Sequence, residues 1–135
     1  MKRLIVFISA ALMLLACSKD DVSKMSDRQV INKLTESVWI HMKEVCHFLD
    51  DNTTEIRTEN DSDWDYEEWK FQKDGLCRMT GDDGDYMSAY RYVNRKLYVD
   101  DMVYVIKVMT SDELVLEECD YDGENEYYID YFRRK

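Results

Sequence analysis

The stretch EEWKFQKDGLCRMT, residues 67–80, carries the pattern of two β-strands joined by a tight turn. Trp69 and Phe71 fall on one face of the first strand, because successive side chains of a strand point to opposite faces. An Asp-Gly pair follows at 74–75, and its glycine supplies the positive φ angle that short hairpin turns need. Residues 76–80 form the returning strand. The stretch therefore predicts an antiparallel hairpin with one apolar face.

The same alternation recurs on both sides of this hairpin. Six further strands are predicted, at 37–48, 86–92, 96–99, 102–109, 113–119 and 126–133. Most of the connections are short and contain Asp, Asn or Gly, which favour turns. The exception is the polar, acidic stretch 50–63, which we predict to be a long loop. Strands joined by such short turns must be adjacent and antiparallel.

The eight strands predict an all-β fold, a small eight-stranded up-and-down antiparallel barrel. A twisted meander of eight strands removes its exposed edges when it closes on itself. One short helix is predicted before the barrel at 27–36, where Ser26 and Gln29 have the spacing of a capping box. The absence of proline and the ten tyrosines favour continuous hydrogen-bonded strands. A two-sheet β-sandwich is the alternative architecture.

The first sixteen residues have the features of a secretory signal peptide. Lys2 and Arg3 precede an uncharged apolar run at 4–15, which is too short to span a bilayer, since a spanning helix needs about 20 residues. The motif LLAC at 14–17 places a small alanine directly before Cys17, as a lipoprotein signal peptidase requires. Cys17 is therefore predicted to be the lipidation site, which makes membrane lipid the partner of this end of the chain.

Three segments follow from this division. Residues 1–16 are the predicted signal peptide, 17–25 a lipidated tether and 26–135 the barrel domain. Removing residues 1–16 takes away two of the 18 Lys and Arg and none of the 29 Asp and Glu, so the net charge falls from −11 to −13. A surface that acidic repels phosphate groups, which argues against nucleic-acid binding.

Apolar and aromatic residues at alternate strand positions are the candidates for the barrel interior. An eight-stranded barrel is just wide enough to be filled by side chains or to hold one small ligand. A packed core and a ligand cavity are therefore alternative interpretations of the interior. The many tyrosines favour a cavity, because a buried hydroxyl needs a hydrogen-bond partner. The predicted interior residues are Trp69, Phe71, Tyr90, Tyr92, Tyr104, Ile106, Leu114, Leu116, Tyr127 and Tyr131, together with Val108 and Ile129.

No pattern of catalytic or metal-binding residues stands out. The two histidines, His41 and His47, would share one face of a strand at about 20 Å from each other, too far to bind one metal ion. Two acidic stretches, 61–72 and 120–126, resemble calcium loops only in part, and the first has tyrosine and glutamine where a turn glycine and a final glutamate belong. We expect no enzyme activity, no cofactor and no metal site.

The remaining cysteines lie on predicted strands that are not neighbours. Cys46, Cys77 and Cys119 fall on the first, third and seventh strands, and a disulfide needs Cα atoms within about 7 Å. We therefore expect free thiols in a barrel. In the sandwich alternative, a Cys46–Cys119 disulfide would be an alternative to free thiols.

The order of these features resembles a family of small bacterial lipocalin-like lipoproteins. The resemblance covers about 26–135 and is carried by a helix followed by Leu34 and Trp39, the aromatic strand EEWKFQKDG, the turn at 92–97, the strand pair YVIKVMTSDELVLE and the closing strand YYIDYFRRK. It implies a lipocalin-like barrel whose ligand is undefined.

The residues after Cys17 bear on location. Lys19, Asp20 and Asp21 resemble the acidic export signal of surface lipoproteins in some anaerobic Gram-negative bacteria. The prediction is an outer-membrane lipoprotein at the cell surface, with the periplasmic face as the alternative. Its expected function is that of a binding or interaction module for an undefined ligand or surface partner. A carrier of a small apolar or aromatic ligand inside the barrel is the alternative.

Overall fold

The computed structural model describes residues 21–121 and 123–135. Residues 1–20 lie outside this range, and with them the predicted signal peptide, Cys17 and most of the tether. Within the described residues the chain forms one short 3₁₀ turn, Val22–Lys24, one α-helix and nine strands. The helix is α1 (Asp27–Thr35), and the strands are β1 (Trp39–Phe48), β2 (Thr53–Thr58), β3 (Glu67–Phe71), β4 (Leu76–Gly81), β5 (Gly84–Val93), β6 (Lys96–Val99), β7 (Met102–Met109), β8 (Glu113–Glu118) and β9 (Glu126–Arg134).

Eight of the strands close an antiparallel barrel, which confirms the predicted architecture. From β3 to β9 each strand pairs with the next along the chain, and β1 completes the ring by pairing with both β9 and β3. The β1–β9 seam is long and runs the whole length of β1. The β1–β3 seam is short, because only Trp39–Trp69 and Ile40–Glu68 are paired. The sandwich alternative is therefore wrong.

The ninth strand, β2, lies within the stretch that the sequence predicted to be a loop. It pairs with the second half of β1, from Lys43–Thr58 to Phe48–Thr53. Its threonines and Ile56 are β-branched, and Asn52 takes a φ of 55° in the turn before it, a conformation that asparagine tolerates well. The prediction of a loop rested on the acidic composition of 50–63, which outweighed the strand preference of these β-branched residues.

Helix α1 closes one end of the barrel. Ser26 and Gln29 form the predicted capping box, with each side chain accepting from the backbone N–H of the other residue. Val30 and Leu34 are fully buried against the barrel core. The Trp39 indole donates a 3.0 Å hydrogen bond to the carbonyl of Leu34, which joins the end of the helix to the start of β1.

The segment at 21–25 packs against the barrel and is not a free tether. Val22 and Met25 are partly buried against the core. The Arg95 guanidinium, in the β5–β6 turn, donates hydrogen bonds of 2.9 Å to both of their carbonyls. These five residues of the predicted tether therefore pack on the barrel, because the side chains of Val22 and Met25 are partly covered there. Among the described residues, no helix has the length and apolar character to cross a bilayer.

Candidate binding cavity at the barrel mouth

Most of the predicted interior residues form a packed core. Eight of the ten are buried, namely Trp69, Phe71, Tyr90, Tyr92, Tyr104, Ile106, Leu114 and Leu116. Their side chains pack together between α1 and the middle of the barrel. The Trp69 ring, for example, makes edge-on contacts with the rings of Phe71 and Tyr104. The half of the barrel next to α1 is therefore filled by side chains.

The predictions of Tyr127 and Tyr131 as interior residues are wrong. Phe132 and Asp130 of β9 are the buried residues, and they pair with the buried Leu114 and Leu116 of β8. Residues at odd positions of β9 consequently face outward, so Tyr127 stacks on His47, and Lys43 lies 4.1 Å from the Tyr131 ring. Ile129, on the same outer side of β9, is likewise only partly buried.

The prediction of Val108 as an interior residue is also wrong, for a different reason. The pairing of β7 with β8 shifts between Ile106 and Val108, which marks a bulge at Lys107. The bulge reverses the alternation, so that Met109 is fully buried while Val108 is partly exposed.

A cavity of about 310 Å³ occupies the opposite end of the barrel, which we call the mouth cavity. It lies where β1 leaves β3 to pair with β2, beyond the short Trp39–Trp69 and Ile40–Glu68 seam. Four of its lining residues are acidic: Glu44, Asp65, Glu67 and Asp130. Arg57 and His41 are the basic residues in the lining. The mouth cavity therefore carries a net negative charge.

Aromatic side chains form much of the cavity wall. Trp69 and Tyr104 line its floor and also belong to the barrel core, and Tyr128 and Trp64 lie nearer the rim. Trp64 belongs to the segment between β2 and β3, and its ring centroid is 4.9 Å from that of His41. The Trp69 indole donates a hydrogen bond to the Glu67 carboxylate, which fixes one acid against the wall.

A histidine and two carboxylates converge on one side of this cavity. His41 Nε2 is 2.8 Å from Asp130 Oδ1, and both side chains are almost nine-tenths buried. Glu44 lies directly opposite Asp130 in the β1–β9 pairing. One ligand atom from each of the three residues lies within 4.8 Å of the others. We call these three residues the His-Glu-Asp cluster.

A bulge in β1 creates this arrangement. The pairing of β1 with β9 shifts between His41 and Lys43, so Met42 is the extra residue. Residues three apart on a regular strand point to opposite faces, and the bulge brings His41 and Glu44 to the same interior face. It also sends His47 to the outer face, where it stacks on Tyr127. The prediction that both histidines share one face is therefore wrong.

Burial raises the pKa of several groups in and near the cavity, and nearby carboxylates raise it further. Burial raises the pKa of Glu44, and the facing Asp130 carboxylate raises it further. Burial also raises the pKa of Tyr104, and Asp130 contributes most among several acids that add to the effect. Glu118, near Tyr128, has a pKa raised by burial as well. Burial is the main cause of these shifts, and the neighbouring carboxylates add to it.

In the calcium-like stretch at 61–72, Asp61 and Asp63 bind protein groups. The Asp61 carboxylate accepts a 2.7 Å hydrogen bond from the backbone of Thr58, and Asp63 pairs with Arg57 at 3.3 Å. Trp64 and Asp65 instead line the mouth cavity. The stretch at 120–126 contains Asp122, which lies outside the described residues.

Three thiols are free in the described structure. Cys77 is fully buried in the core, Cys46 is buried, and Cys119, which follows β8, is partly exposed. Cys46 Sγ donates to Glu126 Oε2 at 3.5 Å, and Tyr128 Oη donates to the other oxygen of that carboxylate at 2.8 Å. Cys46 therefore belongs to the polar end of the barrel.

Comparison with protein-family models, with curated proteins and with solved structures finds no match for this chain. The fold and the mouth cavity define its class, a small antiparallel β-barrel with an acidic, aromatic cavity at one end.

Proposed function

We propose that this chain is a lipid-anchored bacterial lipoprotein at the outer-membrane surface, whose barrel binds a small positively charged ligand without converting it chemically. The anchor is the acylated Cys17, and the acidic Lys19-Asp20-Asp21 segment directs surface display. Both lie wholly or mainly in the part of the chain outside the described residues. Several acyl chains on one cysteine give stable anchoring where a single chain would not.

The observation that carries the ligand class is the combination of acids and aromatic rings in the mouth cavity. Carboxylates attract a cation, and the faces of Trp and Tyr rings stabilise it when water is excluded. Glu44, Glu67 and Asp130 supply the charge, and Trp64 and Trp69 supply the rings. A wholly apolar ligand would desolvate these carboxylates without compensating them, so the lining favours a cation over the apolar ligand of the alternative prediction.

The point at which the chain enters the described structure supports this function. The chain enters the described structure at 21–25, which packs beside the β5–β6 turn and leads directly into α1. Helix α1 covers the filled end of the barrel, so the mouth cavity lies at the end away from α1. An anchor at Cys17 would leave the cavity open to the surroundings of the cell.

A matched pair of probes tests the ligand class. Choline carries a positive charge, and 3,3-dimethyl-1-butanol is its neutral isostere. We expect choline to change the tryptophan fluorescence of the full chain in detergent and the isostere to have no effect, because Trp64 and Trp69 line the cavity. The Glu44→Gln/Glu67→Gln variant should weaken the response. Equal binding of both probes would favour the apolar carrier, and a failure of every cation tested would reject the proposed function.

A further inference from the structure

We propose that His41, Glu44 and Asp130 bind a divalent first-row transition-metal ion in the mouth cavity, with Zn²⁺ as the probe ion. This inference rests on the proposed function, since it names the cation that the cavity takes. The site combines one imidazole nitrogen with two carboxylate oxygens. Such a mixture favours zinc and its neighbours over Ca²⁺ and Mg²⁺, which prefer oxygen ligands alone.

The backbone places the three ligands independently of any ion. Glu44 and Asp130 are cross-strand partners on β1 and β9, and His41 reaches the same face through the bulge at Met42. Bulges of this kind are common beside functional sites because they redirect a side chain. Without the bulge, His41 and Glu44 would face opposite sides of the barrel wall.

The distances require a small adjustment around the ion, in which the His41–Asp130 pair opens slightly and the third ligand approaches. The ligand atoms of the His-Glu-Asp cluster lie within 4.8 Å of one another, and the His41–Asp130 pair is already at 2.8 Å. Metal–ligand bonds of about 2.0–2.2 Å place neighbouring ligand atoms about 3.0–3.5 Å apart. The Glu44 side chain is only partly buried, so its carboxylate is the ligand with room to move toward an ion.

The imidazole is already held in place by its neighbours. The rings of Trp64 and Phe132 each lie 4.9 Å from the His41 ring, at interplanar angles of 37° and 32°. These ring contacts restrict the rotation of the imidazole, as outer-shell hydrogen-bond partners do for the ligating histidines of other metal sites. Trp64 is therefore a positioning residue for this site, although it does not ligate the ion.

Charge also favours an ion at this point. The Glu44 and Asp130 carboxylates face each other across the strand pair, and the Arg57 guanidinium is 3.9 Å from Glu44 while also pairing with Asp63. A divalent ion between the two carboxylates neutralises both. Three protein ligands leave at least one coordination position open toward the cavity, where water or a small anionic group can bind.

The two histidines provide a matched test. Zn²⁺ binding to the full chain in detergent is measured by titration calorimetry and by tryptophan fluorescence. The background is Cys46→Ser/Cys119→Ser, which removes the buried thiol at the polar end of the barrel and the partly exposed thiol after β8 as competing metal ligands. We expect one Zn²⁺ per chain and a loss of affinity for His41→Gln, Asp130→Asn and Glu44→Gln that is at least as large as the loss of about 10–100-fold typical of changes to outer-shell partners. The control His47→Gln should bind as tightly as its parent, because His47 stacks on Tyr127 on the outer face.

Each outcome decides the matter. Unfolding midpoints show whether Asp130→Asn folds, and Glu44→Gln, which removes a repelled charge, serves if it does not. Co²⁺ should give visible absorption bands that disappear in His41→Gln. Zn²⁺ binding that survives His41→Gln, or that falls equally in His47→Gln, overturns the site. If Zn²⁺ fails while choline still binds, the metal inference fails and the proposed function stands; if both fail, so does the proposed function.

Discussion

Glu44 and Asp130 lie directly opposite each other on β1 and β9, and both carboxylates face the barrel interior. Like charges at directly opposed strand positions destabilise a sheet. His41 binds Asp130 from the other side, so Glu44 keeps the weaker compensation, a 3.9 Å contact with Arg57. The stability of the fold should therefore depend on the charge of Glu44.

Replacing Glu44 by Gln should stabilise the metal-free chain at pH 7 by up to about 1 kcal/mol. Burial and Asp130 raise the pKa of Glu44 in the folded state. A carboxyl with a raised folded-state pKa favours folding below its unfolded pKa and loses that contribution as the pH rises through the folded value. The gain of the variant should thus shrink at pH 4, where wild-type Glu44 is mostly protonated.

Urea unfolding at pH 7 and pH 4, with a chelator present, measures this difference. The exposed Glu59→Gln should change stability little at either pH, which controls for the loss of one negative charge. A Glu44→Gln variant that is less stable than wild type at pH 7 would contradict the inferred repulsion.

The strands and the helix could be predicted from the sequence because their signals are local. Alternation of aromatic residues and Asp-Gly turns determines hairpins such as 67–81, and the Ser26–Gln29 capping box determines the start of α1. Closure into a barrel followed from the number of short connections. None of these inferences requires knowing which face of a given strand points inward.

The mouth cavity could not be predicted because it depends on strand faces. Bulges at Met42 and Lys107 reverse the alternation. In the strand predicted at 37–48, Trp39 and Glu44 fall on the less expected face, which a bulge or two partly covered faces would explain, but this irregularity does not identify the extra residue. In β9 the pattern EYYIDYFR has aromatic residues on both faces, and an inward Asp130 contradicts the usual preference for apolar interior positions. The prediction therefore chose Tyr127 and Tyr131 and missed Asp130 as a partner of His41.

Replacing Trp39 by Phe should destabilise the fold by about 1–3 kcal/mol. Trp39 is almost fully buried, and its indole N–H satisfies the Leu34 carbonyl near the end of α1. Phenylalanine leaves that buried carbonyl without its partner and leaves space in the core. Chemical unfolding of Trp64→Phe provides the matched control, since Trp64 lines the cavity and is only partly buried. Equal losses in both variants would refute a special role for Trp39.

Replacing Arg95 by Ala should release the segment 21–25 from the barrel. The guanidinium donates to the carbonyls of Val22 and Met25, and alanine keeps the same cost of the positive φ at this turn, 65° in the structure. Hydrogen exchange in a peptide covering 21–25 should rise about fivefold or more, since each lost hydrogen bond is worth about 1 kcal/mol, while exchange in β8 stays as in wild type. Arg91→Ala, which removes a cation over the Tyr98 ring, should leave this peptide protected.

Thiol reactivity should follow burial in the order Cys119, Cys46, Cys77. Burial raises the pKa of Cys77 to about 12, so at pH 8 roughly one molecule in ten thousand carries its thiolate. Cys119 is the most exposed of the three. Maleimide labelling of the native chain followed by peptide mass spectrometry should find Cys119 modified first and Cys77 modified only in urea. Rapid native labelling of Cys77 would show that the β4 region opens.

Replacing Cys17 by Ala should move the chain from the membrane to the soluble fraction. The thiol is the proposed acceptor of the lipid, so the variant should lose labelling by an alkyne fatty acid and should partition into the aqueous phase of a detergent extraction. Cys119→Ala is the matched control, because its thiol is also accessible but lies after β8. Membrane retention of Cys17→Ala would refute the lipid anchor.

The acids after Cys17 should determine which side of the membrane displays the barrel, and Asp20 is the cleaner position to change. Asp21 has a structural role, since its carboxylate accepts from the backbone of Ser23 at 3.0 Å and from its hydroxyl at 2.6 Å. Asp20→Ala should therefore reduce cleavage of the barrel by protease added to intact cells, without changing the unfolding midpoint. Asp27→Ala, an acid in the first turn of α1, should leave surface cleavage unchanged. Full protection of the wild-type barrel in intact cells would instead place it at the periplasmic face.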